Sequence, residues 1–449
     1  MLLDSLAIAT QFARTRWLLD FRDRRHLEDW QQRQLRCFLR DVLPKAPRYQ
    51  GFSVSSLAEL PIMDKATMMS DFAAGNTHGV SAQEALEIAL RAEASRDFAP
   101  QLGDLTVGLS SGTSGNRGIF LVSKAERLRW AGTLLARALP SCLLNRLISP
   151  WQAPLRIAFF LRANSNLYTT LASRRIDFTF YDQLLGLDAA LPRLALQQPD
   201  VLVAPPSMLR ALASQTLCGQ LHIRPSHVIS VADVLEPRDA EAVESAFGHR
   251  PHQLYQATEG FLAYTCEAGC LHMNETFIHI EKQWLDEERT RFQPVITDFS
   301  RHAQLIVRYR LNDVLRVHQS GCTCGRAELA IEAIEGRSDE VLWLHSIEGR
   351  GRCVSIWPDQ VRRAMLLAGT EVREYDIAQQ GMRLKVSLLA NASDALASEA
   401  VERELTDLWR RVKARPPTLA FSGWQSVPAG AKRRRIRVEN LPEGVSCTF

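Results

Sequence analysis

The sequence has none of the long apolar runs that mark a membrane protein. No run reaches the roughly 18 apolar residues that a spanning helix needs, and arginines interrupt the richest apolar region, residues 134–161. A net charge of +4 over 449 residues is small, which argues against a nucleic-acid binder. The amino terminus carries Asp4 where a signal peptide has basic residues. We therefore expect a cytoplasmic protein without a transmembrane segment.

Cysteine is also scarce, at nine residues in 449, so a disulfide scaffold is excluded. The length exceeds what one compact core holds, which predicts two or three folding units. Residues 1–50 repeat apolar side chains at helical spacing, and from residue 106 to about 299 short apolar strands alternate with helical segments. This alternation is typical of layered α/β architecture.

The last hundred or so residues have a different pattern. VREYDIAQQGMRLKVSLLA predicts two strands around a turn, and Ser393 can cap a following amphipathic helix. We therefore predict a large α/β domain over residues 1–336, with a helical lead-in over 1–50, and a small α+β domain over 337–449.

One segment lacks large apolar side chains entirely. It reads SSGTSGNRG over residues 110–118. Glycines let backbone N–H groups approach a ligand, and hydroxyl groups add donors, which suits phosphate. No Gly-Lys-Ser/Thr closes the segment, so it is not a P-loop, and a flexible connector is the alternative. The candidate donors are Ser110, Ser111, Gly112, Thr113, Ser114 and Gly115.

Further segments carry polar residues suited to a nucleotide. In LYQATEGFLAY, Tyr255 can stack on a purine, Thr258 can donate to a phosphate oxygen and Glu259 can hold Mg²⁺. In VRYRLNDVLRV, Asp313 follows a short predicted strand and can accept from ribose hydroxyls. Each segment alone also fits a buried carboxylate or a helix cap.

The order of these segments resembles that of the adenylate-forming enzymes. Within them it resembles the phenylacetate–coenzyme A ligase group and its relatives that adenylylate a deazaflavin coenzyme. The resemblance spans about residues 60–438, and its last element is VPAGAKRRRIRV. It implies a large α/β domain joined by a hinge to a small mobile α+β domain.

The resemblance also implies roles for individual residues. The serine- and glycine-rich segment would close over the ATP phosphates, and Arg337 would contact the ribose beside Asp313. Asp339 would be the hinge. Lys432 would be the catalytic lysine, although Ala431 stands where the family has glycine; read alone, KRRRIR is a solvated basic run.

The substrate side is marked by softer signals. Ala232 and Asp233 lie where the family packs adenine and the acyl group. APPSMLRAL and FFLRANSNLY are candidates for the acyl side, with ordinary core packing as the alternative.

A group of cysteines points to a metal. Cys266, Cys270 and His272 are followed about fifty residues later by Cys322 and Cys324, and thiolates with an imidazole suit tetrahedral zinc. Five candidates compete for four places. Some members of the resembled family have a Cys…His…Cys-x-Cys arrangement here, which favours Cys266, His272, Cys322 and Cys324 in a zinc-braced subregion over residues 264–326. Reduced thiols in loops are the alternative.

These features predict an ATP- and Mg²⁺-dependent ligase that activates an aryl or acyl carboxylic acid as an acyl-adenylate with release of pyrophosphate. The acyl group would pass to coenzyme A or an acyl carrier protein, and a homodimer is left open. One alternative is a nucleotidyltransferase that adenylylates a cofactor without forming a thioester. Another is a non-catalytic, zinc-braced binding protein.

Overall fold

The structure is a computed structural model that describes residues 2–51, 54–95, 100–109, 118–161, 166–349, 352–425 and 434–443. Two of the sequence predictions, the phosphate donors Ser110–Gly115 and the lysine Lys432, lie outside the described residues. Within these ranges, no helix is both long and apolar enough to cross a membrane.

Several helices begin at residues that the local sequence marks as helix caps. Ser123 and Glu126 form a capping box at the start of α5: the Ser123 hydroxyl accepts from Glu126 N at 3.3 Å and the Glu126 carboxylate accepts from Ser123 N at 2.7 Å. The predicted cap at Ser393 is also present. The helices are α1 (Leu2–Ala13), α2 (Arg24–Asp41), α3 (Lys65–Ser70), α4 (Ala82–Ser95), α5 (Lys124–Ala138), α6 (Ser141–Ile148), α7 (Asn166–Thr169), α8 (Leu187–Gln197), α9 (Pro206–Leu217), α10 (Pro237–Phe247), α11 (Pro358–Leu367) and α12 (Asp394–Arg411).

The strands occur where short runs of apolar and β-branched residues are bounded by turn residues. They are β1 (Gln101–Leu102), β2 (Leu105–Leu109), β3 (Ile119–Ser123), β4 (Leu155–Leu161), β5 (Ile176–Asp182), β6 (Val201–Ala204), β7 (His227–Ser230), β8 (His252–Ala257), β9 (Gly260–Thr265), β10 (Leu271–Met273), β11 (Ile278–Trp284), β12 (Arg291–Asp298), β13 (Ile306–Arg310), β14 (Asp313–Val317), β15 (Ala330–Arg337), β16 (Leu342–His345), β17 (Cys353–Ile356), β18 (Val372–Gln380), β19 (Arg383–Ala390), β20 (Thr418–Gly423) and β21 (Ile436–Asn440).

The chain divides into two compact units. The first comprises Met1–Gln283, Pro294–Leu311 and Val317–Ala333. Part of its larger sheet has the order β5-β4-β6-β7-β8-β9-β10-β15, parallel from β5 to β8 and antiparallel from β8 to β15. A second sheet joins β1, β2 and β3.

Helices cover both faces of the parallel strands. Val228 packs into a core with residues of α8, α9 and α10, whereas its neighbour Ile229 packs into a core with residues of α5. Successive side chains of a strand point to opposite faces, so these two cores form layers on either side of the sheet. The α/β class predicted from the sequence is confirmed.

The second unit comprises Trp284–Gln293, Asn312–Arg316 and Ile334–Phe449. Its four-stranded sheet has the order β20-β19-β18-β21, and its core includes Trp409 of α12 and Leu384 of β19. The predicted hairpin is formed by β18 and β19, and Gly381 adopts a φ of 60° in the turn between them. The second unit thus contains both α-helix and β-sheet.

Candidate nucleotide site and cysteine–histidine cluster

Two neighbouring parallel strands of the first unit end beside predicted site residues. β7 ends at Ser230 and β8 ends at Ala257, and the two strands are in parallel register. Ala232 and Asp233 follow the first strand, while Thr258 follows the second. In open α/β sheets, ligands bind in the crevice outside the carboxyl ends of the strands, so the topology brings these residues to the edge where a ligand is expected.

The chain turns sharply after β7. Ala232 has a φ of 72°, a value that is uncommon for a residue with a side chain. Asp233 N donates to Val231 O at 2.9 Å, which closes a three-residue γ-turn around Ala232, and Val231 N donates to Ala204 O at 3.2 Å at the end of β6. Sparsely populated backbone conformations cluster at ligand sites, which supports the assignment of Ala232 and Asp233 to the site.

Thr258 and Glu259 form the tip of the hairpin between β8 and β9. Ala257 pairs with Gly260, and a β-bulge lies between Tyr255 and Gln256. The Thr258 hydroxyl donates to Glu259 Oε2 at 2.9 Å. Tyr255 is buried, whereas the two tip residues are only half-buried. The hydrogen bond orients the carboxylate while leaving the tip accessible to solvent and ligand.

The first residue of β9 is packed against a buried carboxylate. A Cβ atom at Gly260 would lie 2.9 Å from Asp298 Oδ2. The other oxygen, Asp298 Oδ1, accepts from the Ser300 backbone N–H at 2.9 Å and from its hydroxyl at 2.6 Å, while burial raises the pKa of Asp298. Gly260 therefore permits a close approach at the base of the hairpin tip. No local sequence signal marks this contact.

The segment predicted to bind phosphate is flanked by paired strands. Leu109 of β2 pairs with Ile119 of β3, so the chain enters and leaves residues 110–118 at adjacent positions. A Cβ atom at Gly108 would lie 2.1 Å from the Phe120 ring, so this ring packs directly over Gly108 beside the entrance to the segment.

In the second unit, the segments that carry Asp313 and Arg337 lie side by side. Ser338 N donates to Asn312 O at 2.7 Å, which joins the residues next to them. Gly336 has a φ of 121°, and a Cβ atom there would lie 2.7 Å from Glu340 Oε2, so only glycine fits. The two residues predicted to bind ribose are thus brought together.

Asp339 lies in the helical turn Ser338–Glu340. Its carboxylate is 2.6 Å from Arg434 Nη2, and Arg434 Nε is 3.3 Å from Glu340 Oε1. These interactions raise the pKa of Arg434 although burial opposes them. The chain that follows Lys432 is therefore held against the turn predicted to be the hinge.

At the far end of β9, four candidate metal ligands come together. Cys266, His272, Cys322 and Cys324 offer ligand atoms that all lie within 4.8 Å of one another. The Cys266 and Cys322 sulfurs lie 3.6 Å apart, and Cys324 Sγ lies 3.3 Å from His272 Nε2. A set of three sulfurs and one imidazole nitrogen at these spacings suits tetrahedral zinc.

The surroundings of the cluster hold its ligands in position. His272 Nδ1 lies 3.0 Å from Glu328 O, a contact that fixes the proton on Nδ1 and leaves Nε2 facing the sulfurs. Cys266 N donates to Cys270 O at 2.8 Å, so Cys270 shapes the turn, and its thiol also contacts Cys322. Burial raises the pKa of Cys266 to about 12 and of Cys322 to about 11. Thiolates here therefore need a compensating positive charge.

A buried ionic network supports the same region. The Glu328 carboxylate pairs with Arg137 at 2.9 Å and accepts from the Thr276 hydroxyl at 2.7 Å and from the Tyr264 hydroxyl. The Arg137 guanidinium also lies over the Tyr264 ring, 4.8 Å from its centroid. Because Glu328 also supplies the carbonyl beside His272, this network ties the cluster to the strands of the sheet.

The fold is similar to that of solved CoA ligases. No family model matches the sequence. A 2-hydroxyisobutyryl-CoA ligase in its postadenylation state gives a TM-score of 0.64 at 15% identity, covering 92% of this chain and 88% of the other. The open conformation of a 2-hydroxyisobutyryl-CoA ligase, with 2-HIB-AMP and CoA, gives 0.56 at 17% identity, covering 91% and 90%.

A sequence relative points the same way. The phenylacetate-coenzyme A ligase of Thermus thermophilus is 27% identical over 115 residues, which cover 25% of this chain and 24% of that protein. The match thus spans about a quarter of the relative's length. The resemblance noted from the sequence is confirmed: the fold is similar to that of a solved CoA ligase, and a quarter of the chain matches a phenylacetate-coenzyme A ligase.

Proposed function

We propose that the protein activates a carboxylic acid with ATP, forming an acyl-adenylate and pyrophosphate, and then transfers the acyl group to the thiol of coenzyme A or of an acyl carrier protein. The observation that carries the proposal is the Thr258–Glu259 hairpin tip, with its oriented carboxylate at the carboxyl end of a parallel strand. It stands in a fold shared over most of the chain with ligases whose structures contain acyl-adenylates.

The chemistry requires charge stabilisation. A carboxylate that attacks the α-phosphate of ATP brings two anions together, so positive charge and N–H donors must face the reacting phosphate. The Thr258 hydroxyl fixes the orientation of Glu259, whose carboxylate suits Mg²⁺. The bound ion would supply positive charge beside the phosphates. Lys432 and the donors of Ser110–Gly115 complete the proposed set.

The rest of the nucleotide would be held by the remaining predicted site residues. We assign the adenine to the buried ring of Tyr255 and the γ-turn at Ala232. The ribose is assigned to Asp313 and Arg337, which stand on adjoining segments. In this proposal, the small domain turns about Asp339 after adenylation, which removes Lys432 and admits the thiol.

Aromatic side chains support an aryl or bulky acyl substrate. Phe159 and Tyr168 lie with ring centroids 4.6 Å apart, and Trp130 and Phe178 pack against them at 5.7 and 5.6 Å. This group belongs to the sheet face that carries Val231, next to the γ-turn. We assign the acid to this side of the strand ends.

We assign a structural zinc ion to Cys266, His272, Cys322 and Cys324. Four protein ligands leave no coordination position for substrate, so such an ion braces the fold. The support is the convergence of these four side chains, which come from segments about fifty residues apart.

Pyrophosphate exchange with ATP, Mg²⁺ and a panel of aryl and acyl acids tests the proposal. Products are identified by mass spectrometry with and without coenzyme A. Acid-dependent exchange and a thioester support the proposed ligase. Exchange that ends in an adenylylated cofactor indicates a nucleotidyltransferase, and no exchange with any acid overturns the activity.

Two variants test the proposed rotation. Lys432→Ala should abolish acyl-adenylate formation yet still convert a supplied acyl-adenylate to thioester, because the lysine would have left the site. Asp339→Pro should retain adenylation and lose transfer, because proline fixes φ near −65° at the hinge. Equal loss of both steps in both variants would contradict the rotation.

A further inference from the structure

A buried arginine joins two parts of the candidate nucleotide site. Arg301 lies between β12 and β13, and its side chain is 10% exposed. Its Nη2 donates to Leu121 O of β3 at 2.7 Å, and its Nη1 donates to Thr258 O at 3.5 Å. One guanidinium therefore contacts both β3 and the hairpin tip, which are far apart in the sequence.

The turn that carries Arg301 is itself fixed from several sides. Glu126 Oε1, near the start of α5, accepts from His302 N at 2.5 Å and Ala303 N at 3.0 Å. Arg301 Nε lies 3.8 Å from the same oxygen. Gln304 adds two bonds to β3: its Oε1 accepts from Leu121 N at 2.9 Å, and its Nε2 donates to Ile119 O at 3.4 Å.

These contacts reach the chain on both sides of the proposed chemistry. β3 begins at Ile119, directly after the serine- and glycine-rich segment, while the carbonyl of Thr258 precedes Glu259. A planar guanidinium can hold two carbonyls at once in a fixed geometry, whereas a lysine ammonium is a single point on a flexible chain. A guanidinium in this position can therefore set the spacing between β3 and the tip.

We propose that Arg301 is a positioning residue that sets the distance between the β3 end of the phosphate-binding segment and the Thr258–Glu259 tip. The inference rests on the proposed function. Arg301 acts through Leu121 and Thr258 and does not touch the substrate. Because a small misplacement of reacting groups lowers rates strongly, its loss should affect catalysis beyond any effect on stability.

Arg308 provides a matched control in the same unit. Its side chain is 14% exposed, and it pairs with Glu281 through two bonds of 2.9 and 2.6 Å. It also donates to Leu60 O at 2.5 Å. Arg308 therefore contacts both an acidic side chain and a backbone carbonyl, as Arg301 does. Unlike Arg301, it contacts no predicted site residue through these bonds.

The test compares Arg301→Lys with Arg308→Lys in the full-length protein. Thermal denaturation gives the melting temperature, and pyrophosphate exchange gives kcat, KM for MgATP and the Mg²⁺ concentration at half-maximal rate. Both variants should lose a similar few degrees of melting temperature. Only Arg301→Lys should lower kcat, by about tenfold, and raise the Mg²⁺ requirement. Arg308→Lys should stay within about twofold of wild type.

Gln304→Ala provides a milder second variant, because it removes the two bonds to β3 and leaves the guanidinium in place. It should raise KM for MgATP with little change in kcat. An active wild type in which Arg301→Lys and Arg308→Lys have equal kinetics overturns the positioning role alone. A wild type without exchange on any acid overturns the proposed function and this inference with it.

Discussion

The two ends of strand β9 carry different kinds of site. At one end, Thr258 and Glu259 are half-buried and form an accessible hairpin tip. At the other end, Cys266 and His272 are buried and face two further cysteines. An accessible carboxylate suits a ligand that must come and go, whereas a closed set of four ligands suits an ion that stays. The difference in exposure therefore fits the reactive role proposed for one end of the strand and the structural role proposed for the other.

The largest expected effect tests the accessible end. Glu259→Gln should lower adenylation at least about a hundredfold, because Mg²⁺ loses its charged anchor, and should leave the melting temperature unchanged. Pyrophosphate exchange and thermal denaturation measure the two quantities. Glu244→Gln, which changes a carboxylate that is 48% exposed on α10, is the control. Near wild-type exchange in Glu259→Gln would remove the assignment.

The next effect tests the closed end. Metal analysis should find about one zinc per chain, and Cys324→Ser should lower the melting temperature by about 5 °C or more, because metal binding is coupled to folding. The exposed Cys218 provides the control variant Cys218→Ser, which should behave as wild type. Metal-free protein with unchanged stability would exclude a structural ion.

A smaller effect tests whether a packing change at the base of the hairpin displaces the Thr258–Glu259 tip. Gly260→Ala places a Cβ 2.9 Å from the Asp298 carboxylate, so it should cost about 1–3 kcal/mol of stability and about tenfold in exchange. Gly423→Ala is the control, since a Cβ there would meet nothing within 4 Å. Unchanged exchange in Gly260→Ala would show that the tip tolerates the displacement.

The smallest effect on exchange is expected in the strand between the two sites. Tyr264→Phe removes a hydroxyl that donates to the buried Glu328 carboxylate and should cost about 1.5–3 kcal/mol in chemical denaturation. Tyr181→Phe removes a hydrogen bond to the neutral Gln197, so its cost should be nearer about 1 kcal/mol. If Tyr264→Phe stays fully folded but loses most of its pyrophosphate exchange, the two ends of β9 do not have separate roles.

The sequence predicted the residues of these sites better than it predicted their support. Hydroxyl, carboxylate and thiol residues in a recognisable order led to Thr258, Glu259 and the four cluster residues as candidates, and their roles stay predictions. In contrast, the approach of Asp298 to Gly260 and the bridge from Arg301 to Leu121 join residues that are far apart in the chain. Such contacts follow from strand pairing and leave no local periodicity or motif.

Backbone conformation and unit composition were likewise not predicted. Nothing in SVADVLEP indicates that Ala232 has a positive φ, because alanine usually avoids that region. Segments 284–293 and 312–316 belong to the carboxy-terminal unit. Arg291 of the first segment is the strand partner of Arg316 of the second, so the two strands pair although they are remote in sequence. The domain limits predicted from sequence stay a prediction.

The cluster at the end of β9 would also serve as a spectroscopic reference point. β9 runs from Gly260 to Thr265, and a strand rises about 3.3 Å per residue, so the cluster and the hairpin tip stand about 20 Å apart. A paramagnetic ion such as Co²⁺ placed in the cluster would shift the magnetic resonance signals of a nucleotide at the tip by an amount that depends on distance and direction. An ion in the cluster would thus provide a fixed reference from which the position of a bound ligand can be measured.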